Sequence, residues 1–270
     1  LDLAAARSVV DYSINGGPGK IEELKKAGAQ AIGEIFSYEH SDSMLERILR
    51  ETRRLGLLAT FHAEDGSIIK EKAKELSGRQ DPEVYSLARP VAAEVKAIEK
   101  ALSWSDWLHI CHLSSGQGLN LIEGTKFRMA REDKARSEKA SGENSNLSRK
   151  ETEPKMAIDS SRRLSCEVTP HHLLLNLKDY KKQGSYLKMN PPLRSQADNE
   201  RLWEGLRAGS IDILASDHAP HLPEEKEEDI WEAPAGVPGV ETMLPLMLFA
   251  VRRNLLRLER LVDALAARPA

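Results

Sequence analysis

Short apolar runs alternate with longer amphipathic stretches along most of the chain. Runs at Val9–Ser13, Ala31–Phe36, Leu57–Phe61, Trp107–Cys111, Leu164–Val168 and 211–216 have the length and residue types of buried strands. Helical periodicity predicts helices at Ile21–Ala27, at about 43–55, 67–77 and 90–101, and at Gly239–Asn254 and Leu258–Ala267. Gly28 and Gly56 stop two of these helices, Ser41 caps one, and Pro90 occupies a tolerated first-turn position. Residues 1–8 read as the end of a helix, and Gly16-Gly17-Pro18-Gly19 as a turn. Strand and helix alternate at intervals of roughly 20–50 residues, which predicts an α/β chain with a parallel sheet and crossover helices. Six units fit either an open doubly wound sheet or a TIM-type (β/α)8 barrel without its first two strands.

One segment departs from the alternation. Residues 123–161 carry Lys126, Arg128, Arg131, Glu132, Asp133, Lys134, Arg136, Glu138 and Lys139, then a Ser-, Asn- and Gly-rich stretch. So few apolar positions cannot bury a core, so the segment reads as a solvated insertion, helical at first and then disordered. Its charges are mixed in sign, unlike a basic nucleic-acid arm. The whole chain of 270 residues has a formal charge of −3 and a pI near 6.3, which gives no footprint for nucleic acid or an anionic membrane. No apolar run approaches the roughly 18 residues of a membrane span, and no signal peptide is visible. Cys111 and Cys166 sit inside strand-like runs and read as small buried hydrophobes of a reducing, cytoplasmic setting.

The candidate chemistry lies where the strands end. The run 211–216 stops in Asp217-His218-Ala219-Pro220-His221, and Leu57–Phe61 stops in His62-Ala63-Glu64-Asp65. Trp107–Cys111 is followed by His112, and Glu34 interrupts a strand that ought to be apolar throughout. In a parallel barrel the C-terminal strand ends meet at one mouth, so Glu34, His62, His112 and Asp217 can share a centre. Any one of them alone reads as a cap or a hydrogen-bonded histidine. Four at equivalent places predict a divalent metal site, because imidazole and carboxylate are donors that zinc prefers.

Six ordered motifs then carry a resemblance. They are Ala-Ser-Asp-His-Ala-Pro-His (215–221), His-Ala-Glu-Asp (62–65), His-Ile-Cys-His-Leu-Ser-Ser (109–115), Glu-Val-Thr-Pro-His-His-Leu (167–173), Lys-Met-Asn-Pro-Pro-Leu-Arg (188–194) and Gly-Val-Pro-Gly-Val-Glu-Thr (236–242). Together they resemble the dihydroorotases, cyclic amidohydrolases of the metal-dependent amidohydrolase superfamily, over residues 1 to about 260. The resemblance implies a partial amidohydrolase barrel over 1–122 and 162–270, split by the insertion. It implies His62 and His112 as ligands of one metal, Asp217 as a ligand of another and the proton shuttle, and Glu34 at a position where many relatives carry a carboxylated lysine. The metal count, one or two zinc ions, is therefore open. Asn190 and His221 match substrate-binding positions, and Ala235 and Gly236 align with backbone lying along the substrate ring. His171 and His172 fall at a strand end that holds no ligand in the family.

The activity implied is reversible hydrolysis of (S)-dihydroorotate to N-carbamoyl-L-aspartate in pyrimidine biosynthesis, with a metal-activated water as nucleophile. The partner is a small-molecule substrate, without nucleic acid or membrane, and the sequence is compatible with a homo-oligomer. The superfamily's His-x-His pair is absent: the histidines are 40, 62, 109, 112, 171, 172, 218 and 221. The expectation is a chain that lacks the two strand–helix units carrying that pair, with more sequence to follow Ala270. A hydantoinase or allantoinase, and a non-catalytic dihydroorotase-like subunit, stay open as alternatives.

Overall fold

The computed structural model describes residues 7–8, 13–143 and 163–269. Six strands run in chain order: β1 (Asn15–Gly16), β2 (Ala31–Phe36), β3 (Leu58–His62), β4 (Trp107–Ile110), β5 (Arg163–Val168) and β6 (Ile213–Leu214). They form one sheet in which each strand pairs in parallel with the next, in the order β1-β2-β3-β4-β5-β6. A doubly wound sheet reverses its strand order partway, and this one never does. The sheet is therefore an arc of a (β/α)8 barrel. The strand expected at Val9–Ser13 lies, apart from Ser13, outside the described residues. The first strand observed falls instead at Asn15–Gly16, within what reads as the approach to a turn.

The helices that matter here are α1 (Ile21–Lys26), α2 (Asp42–Arg54), α3 (Gly66–Leu76), α4 (Val84–Ala88), α5 (Val91–Trp104) and α6 (Gly116–Glu143). They continue with α7 (Pro170–Leu174), α8 (Tyr180–Gln183), α9 (Gln196–Ala208), α10 (Pro223–Lys226), α11 (Val240–Arg252) and α12 (Leu258–Val262). The expected signals hold locally: the Ser41 hydroxyl accepts from Met44 N at 3.3 Å to cap α2, and Pro90 precedes α5. Short α4 and, farther on, α7, α8, α9 and α10 have no counterpart among the predicted helices. Helix α6 begins at Gly116 and runs into the charged segment, so 123–143 is continuous with the barrel's own helix.

Strand periodicity sorts the side chains between two faces. Ile32, Ile35, Ala59, Phe61, Leu108, Ile110, Cys166 and Val168 join the apolar layer formed with the helices, which supply Ile48, Leu49, Ile98, Leu119, Ile122 and Leu206. The alternate positions, among them Thr60, His109, Cys111, Ser165 and Glu167, line a cavity of about 940 Å³ on the concave face. The two cysteines thus part company. Cys166 belongs to the apolar layer, while Cys111 is buried against the polar interior. No helix of the described residues is long and apolar enough to cross a membrane.

Candidate metal centre and active site

Strand β2 delivers Glu34 through an irregularity. Its register against β3 shifts between Ile32 and Ile35, so the intervening pair is pushed out of the ladder. Gly33 has φ +145°, and a Cβ there would stand well inside contact distance of the Thr60 hydroxyl and carbonyl oxygens. Only glycine fits so close an approach. The Glu34 carboxylate consequently turns into the cavity, partly accessible, while Ile32 and Ile35 remain fully buried on the other face. That geometry is the physical reason for an acidic residue inside an apolar run.

Three of the predicted residues meet. Glu34 Oε1 lies 3.1 Å from His62 Nδ1 and accepts from His112 Nε2 at 2.6 Å, and the two ring nitrogens lie 3.1 Å apart. Both imidazoles are buried. Burial alone would raise the Glu34 pKa, yet the neighbouring His112 and His62 hold it well below the usual carboxylate range. Burial would likewise lower His112, and Glu34 more than reverses it, so the imidazole is held up. His112 and Asp217 both adopt positive φ, 29° and 46°. Strain of that kind costs on the order of 1 kcal/mol per residue and clusters where geometry serves function.

Asp217 does not join this trio. It lines the same cavity, and its Oδ2 lies 3.8 Å from His171 Nε2, a buried nitrogen with no hydrogen-bond partner among the described residues. Burial raises the Asp217 pKa, and burial lowers that of His171 to about 3. His172 is structural in its contacts, bonding Thr169 Oγ1 at 2.8 Å and the Pro191 carbonyl at 3.0 Å. His218 Nδ1 accepts from Gly239 N at 3.0 Å, at the start of α11.

The four substrate-binding candidates gather on adjoining loops. His221 Nε2 lies 3.1 Å from the Ala235 carbonyl, Gly236 N donates to Lys188 O at 2.9 Å, and Asn190 follows two residues after Lys188. Ala219 N donates to Val237 O at 3.0 Å, which joins this rim to the loop that carries Asp217.

Several residues escaped sequence reasoning. Glu64, fully buried, accepts from His62 Nε2 at 2.7 Å and is held in turn by Arg89 at 2.5 and 3.0 Å. Burial would raise its pKa, but the Arg89 charge and the His62 hydrogen bond bring it down to about 2. With Nε2–H committed to Glu64, the Nδ1 lone pair of His62 faces the cluster, the arrangement that orients metal-binding imidazoles. Glu167 accepts from His109 Nε2 at 3.1 Å and from His112 N at 3.2 Å. A charged residue inside a strand run was the available signal for Glu167, as for Glu34. Tyr85, whose hydroxyl donates to Asn190 Oδ1 at 2.6 Å, left no such mark.

The trio suits one divalent ion. Its donor atoms lie within 4.8 Å of one another, and a carboxylate with two imidazoles is a borderline-soft set. His109, Cys111 and Glu167 form a second grouping of metal-binding residue types, but both His109 nitrogens are already engaged by Ser165 and Glu167.

No family model matches the chain. It is 41% identical over 284 aligned residues to a dihydroorotase of Methanosarcina mazei, covering 100% of this chain and 57% of that protein. A Halobacterium salinarum dihydroorotase is 35% identical, covering 99% and 57%, respectively. An L-hydantoinase of Paenarthrobacter aurescens is 32% identical, covering 99% and 56%. Among solved structures, the L-hydantoinase from Arthrobacter aurescens superposes with TM-score 0.80 at 31% identity, covering 100% of this chain and 57% of that one. A D-hydantoinase gives the same TM-score at 22% identity, a likeness of fold. The chain thus spans little more than half the length of the relatives it matches. An arc of parallel barrel is the architecture of these hydantoinase-type amidohydrolase barrels, and the chain shares their fold class. Within that class, the dihydroorotases match this chain over essentially its whole length at 35–41% identity.

Proposed function

We propose that the enzyme containing this chain is a dihydroorotase, interconverting (S)-dihydroorotate and N-carbamoyl-L-aspartate in the pyrimidine biosynthesis of the cytoplasm. The observation that carries the reading is the meeting of Glu34, His62 and His112 beside a cavity that Asp217 also lines. Identity to dihydroorotases over the whole chain supports the choice of substrate.

Glu34, His62 and His112 would hold a divalent ion, for which zinc fits the donors, with Glu64 and Arg89 fixing His62 from behind. When bound, such an ion supplies Lewis acidity toward the attacking water and the amide carbonyl. Asp217 accepts the proton that the water loses as its oxygen bonds to the ring carbonyl carbon. It returns that proton to the ring nitrogen as the C–N bond breaks, acting as base and then acid. Its burial favours the protonated form and suits the second half of that cycle. Asn190, His221 and the Ala235–Gly236 backbone hold the ring and its carboxylate from the rim. In cyclisation the same groups act in reverse order.

A second reading, hydantoin hydrolysis, is favoured by the L-hydantoinase matches. Steady-state turnover of dihydroorotate, hydantoin and allantoin by the enzyme purified from its native gene separates the two. Dihydroorotate should be hydrolysed with the highest kcat/KM. Preference for hydantoin or allantoin, or no turnover of any, would overturn the proposal.

A further inference from the structure

Helix α10 ends on a lysine that has no place in the chemistry above. Lys226 is almost fully buried, and its ammonium donates to the carbonyls of Lys188 at 2.9 Å, Pro234 at 2.9 Å and Gly236 at 3.0 Å. An ammonium has three protons, and these three bonds use all of them. Its partners are neutral carbonyls, so the charge stays buried without a carboxylate against it, an expensive arrangement unless every donor is satisfied. Two separate segments are tied by this one group: 188–190, which carries Asn190, and 234–236, which carries Ala235 and Gly236.

The surroundings reinforce the tie. Gly236 N donates to Lys188 O, the same carbonyl that Lys226 engages, so the two segments also bond to each other. The Lys226 carbonyl accepts from Ser185 Oγ at 2.5 Å, and the Lys188 ammonium donates to Trp231 O at 2.8 Å. A side chain at Gly236 would collide with the Ala219 carbonyl, so the segment has no room to drift toward the Asp217 loop.

We infer that Lys226 is a positioning residue: its ammonium fixes the 188–190 and 234–236 segments against each other and thereby sets the substrate-binding rim. The inference rests on the reading of Asn190, Ala235 and Gly236 as substrate-facing. All three donors of Lys226 go to backbone carbonyls, and none reaches the Glu34–His62–His112 cluster. Its loss should therefore weaken substrate binding and leave metal and proton transfer in place.

The test is Lys226→Met in the enzyme expressed from its native gene, read by kinetics, bound metal and amide hydrogen exchange. The expected result is a KM for dihydroorotate raised by about tenfold or more, with kcat within about threefold and metal content unchanged. Exchange should accelerate in peptides spanning 186–190 and 233–238 and stay as in wild type in peptides spanning β3 and β4. Lys226→Cys alkylated with bromoethylamine, which restores an ammonium at nearly the same reach, should recover the wild-type KM. Unchanged KM and exchange would overturn the proposal, as would a fall in kcat at constant KM or loss of metal. If wild type fails to turn over dihydroorotate, the dihydroorotase reading fails, and the exchange measurement still decides whether the clamp exists. Lys226→Gln, which keeps two donors, replaces the methionine variant if that one does not fold. Failure of both to fold counts against the proposal, because it places Lys226 in the rim and not in the core.

Discussion

Glu34 is a complete carboxylate as synthesised, so its cluster with His62 and His112 needs no carbon dioxide to form. Metal reconstitution should give the same activity with and without bicarbonate, and a clear bicarbonate requirement would show that a carboxylated lysine elsewhere supplies a ligand. Asp217→Asn keeps the shape of the side chain and removes its capacity to accept a proton. Turnover should fall by about 10²–10⁴-fold while the circular dichroism spectrum is retained, the range that general acid–base groups contribute. Near-normal kcat in that variant would remove Asp217 from the mechanism. Glu64 gives a pH signature. Its pKa in the fold, about 2, lies below the value of roughly 4.3 for an unfolded glutamate. Its contribution to stability is therefore complete above that unfolded value and disappears as pH falls through the folded one. About two pKa units correspond to about 3 kcal/mol, an upper figure for one buried pair. Urea unfolding of wild type and Glu64→Gln between pH 6 and pH 2 should show the wild-type advantage shrinking on acidification; parallel curves would contradict the assignment.

At the scale of elements, the irregular stretch of β2 matters most. Gly33→Ala forces a methyl group into the Thr60 backbone, and the strand must move to admit it. The variant should be destabilised by about 2 kcal/mol or more and should bind metal weakly, because Glu34 follows directly. Calorimetry and metal analysis read both, and a stable, metal-replete variant would mean that the bulge has slack. Helix α6 divides differently from the sequence pattern. Leu119 and Ile122 are buried in the core, and Lys126 pairs with Asp212 and donates to Ser210 O at 2.9 Å. Beyond that anchor Phe127 is exposed and charged residues follow. Deleting 131–158 and joining the flanks by a short linker should leave activity nearly intact, since loop-closure cost changes slowly with length. Collapse of soluble expression would instead give the segment a role in assembly.

Across the whole molecule the sheet has two ends. β1 and β6 each pair with a single neighbour among the described strands, and end strands are templates for further pairing. Farther along the chain from β6, α11 and α12 expose Val240, Leu244, Leu248, Phe249, Leu258 and Val262. Contiguous apolar area of this kind drives association. The 270-residue polypeptide expressed alone should therefore self-associate, which light scattering across a concentration series would reveal. A monodisperse monomer would show that these surfaces are tolerated in water.

Much of the architecture could be read along the chain. The strands at 31–36, 107–111 and 164–168 and the longer helices between the first two follow from local periodicity and caps, which are properties of neighbouring residues. Glu34, His62, His112 and Asp217 were legible for a related reason: polar residues break an apolar strand pattern only where something compensates them. The chain alone left the sheet open between two topologies, because strand order depends on pairing between distant segments. Residue spacing placed all four at one centre and only the resemblance set Asp217 apart from the two histidines; that Glu34 joins both histidines while Asp217 lies beside His171 is set by a bulge and two positive-φ residues. The sequence did not mark Glu64, Tyr85 or Lys226. Each is an ordinary polar residue in sequence, and its role comes from a partner brought near by the fold: His62 beside Glu64, Asn190 beside Tyr85, and three carbonyls around one ammonium.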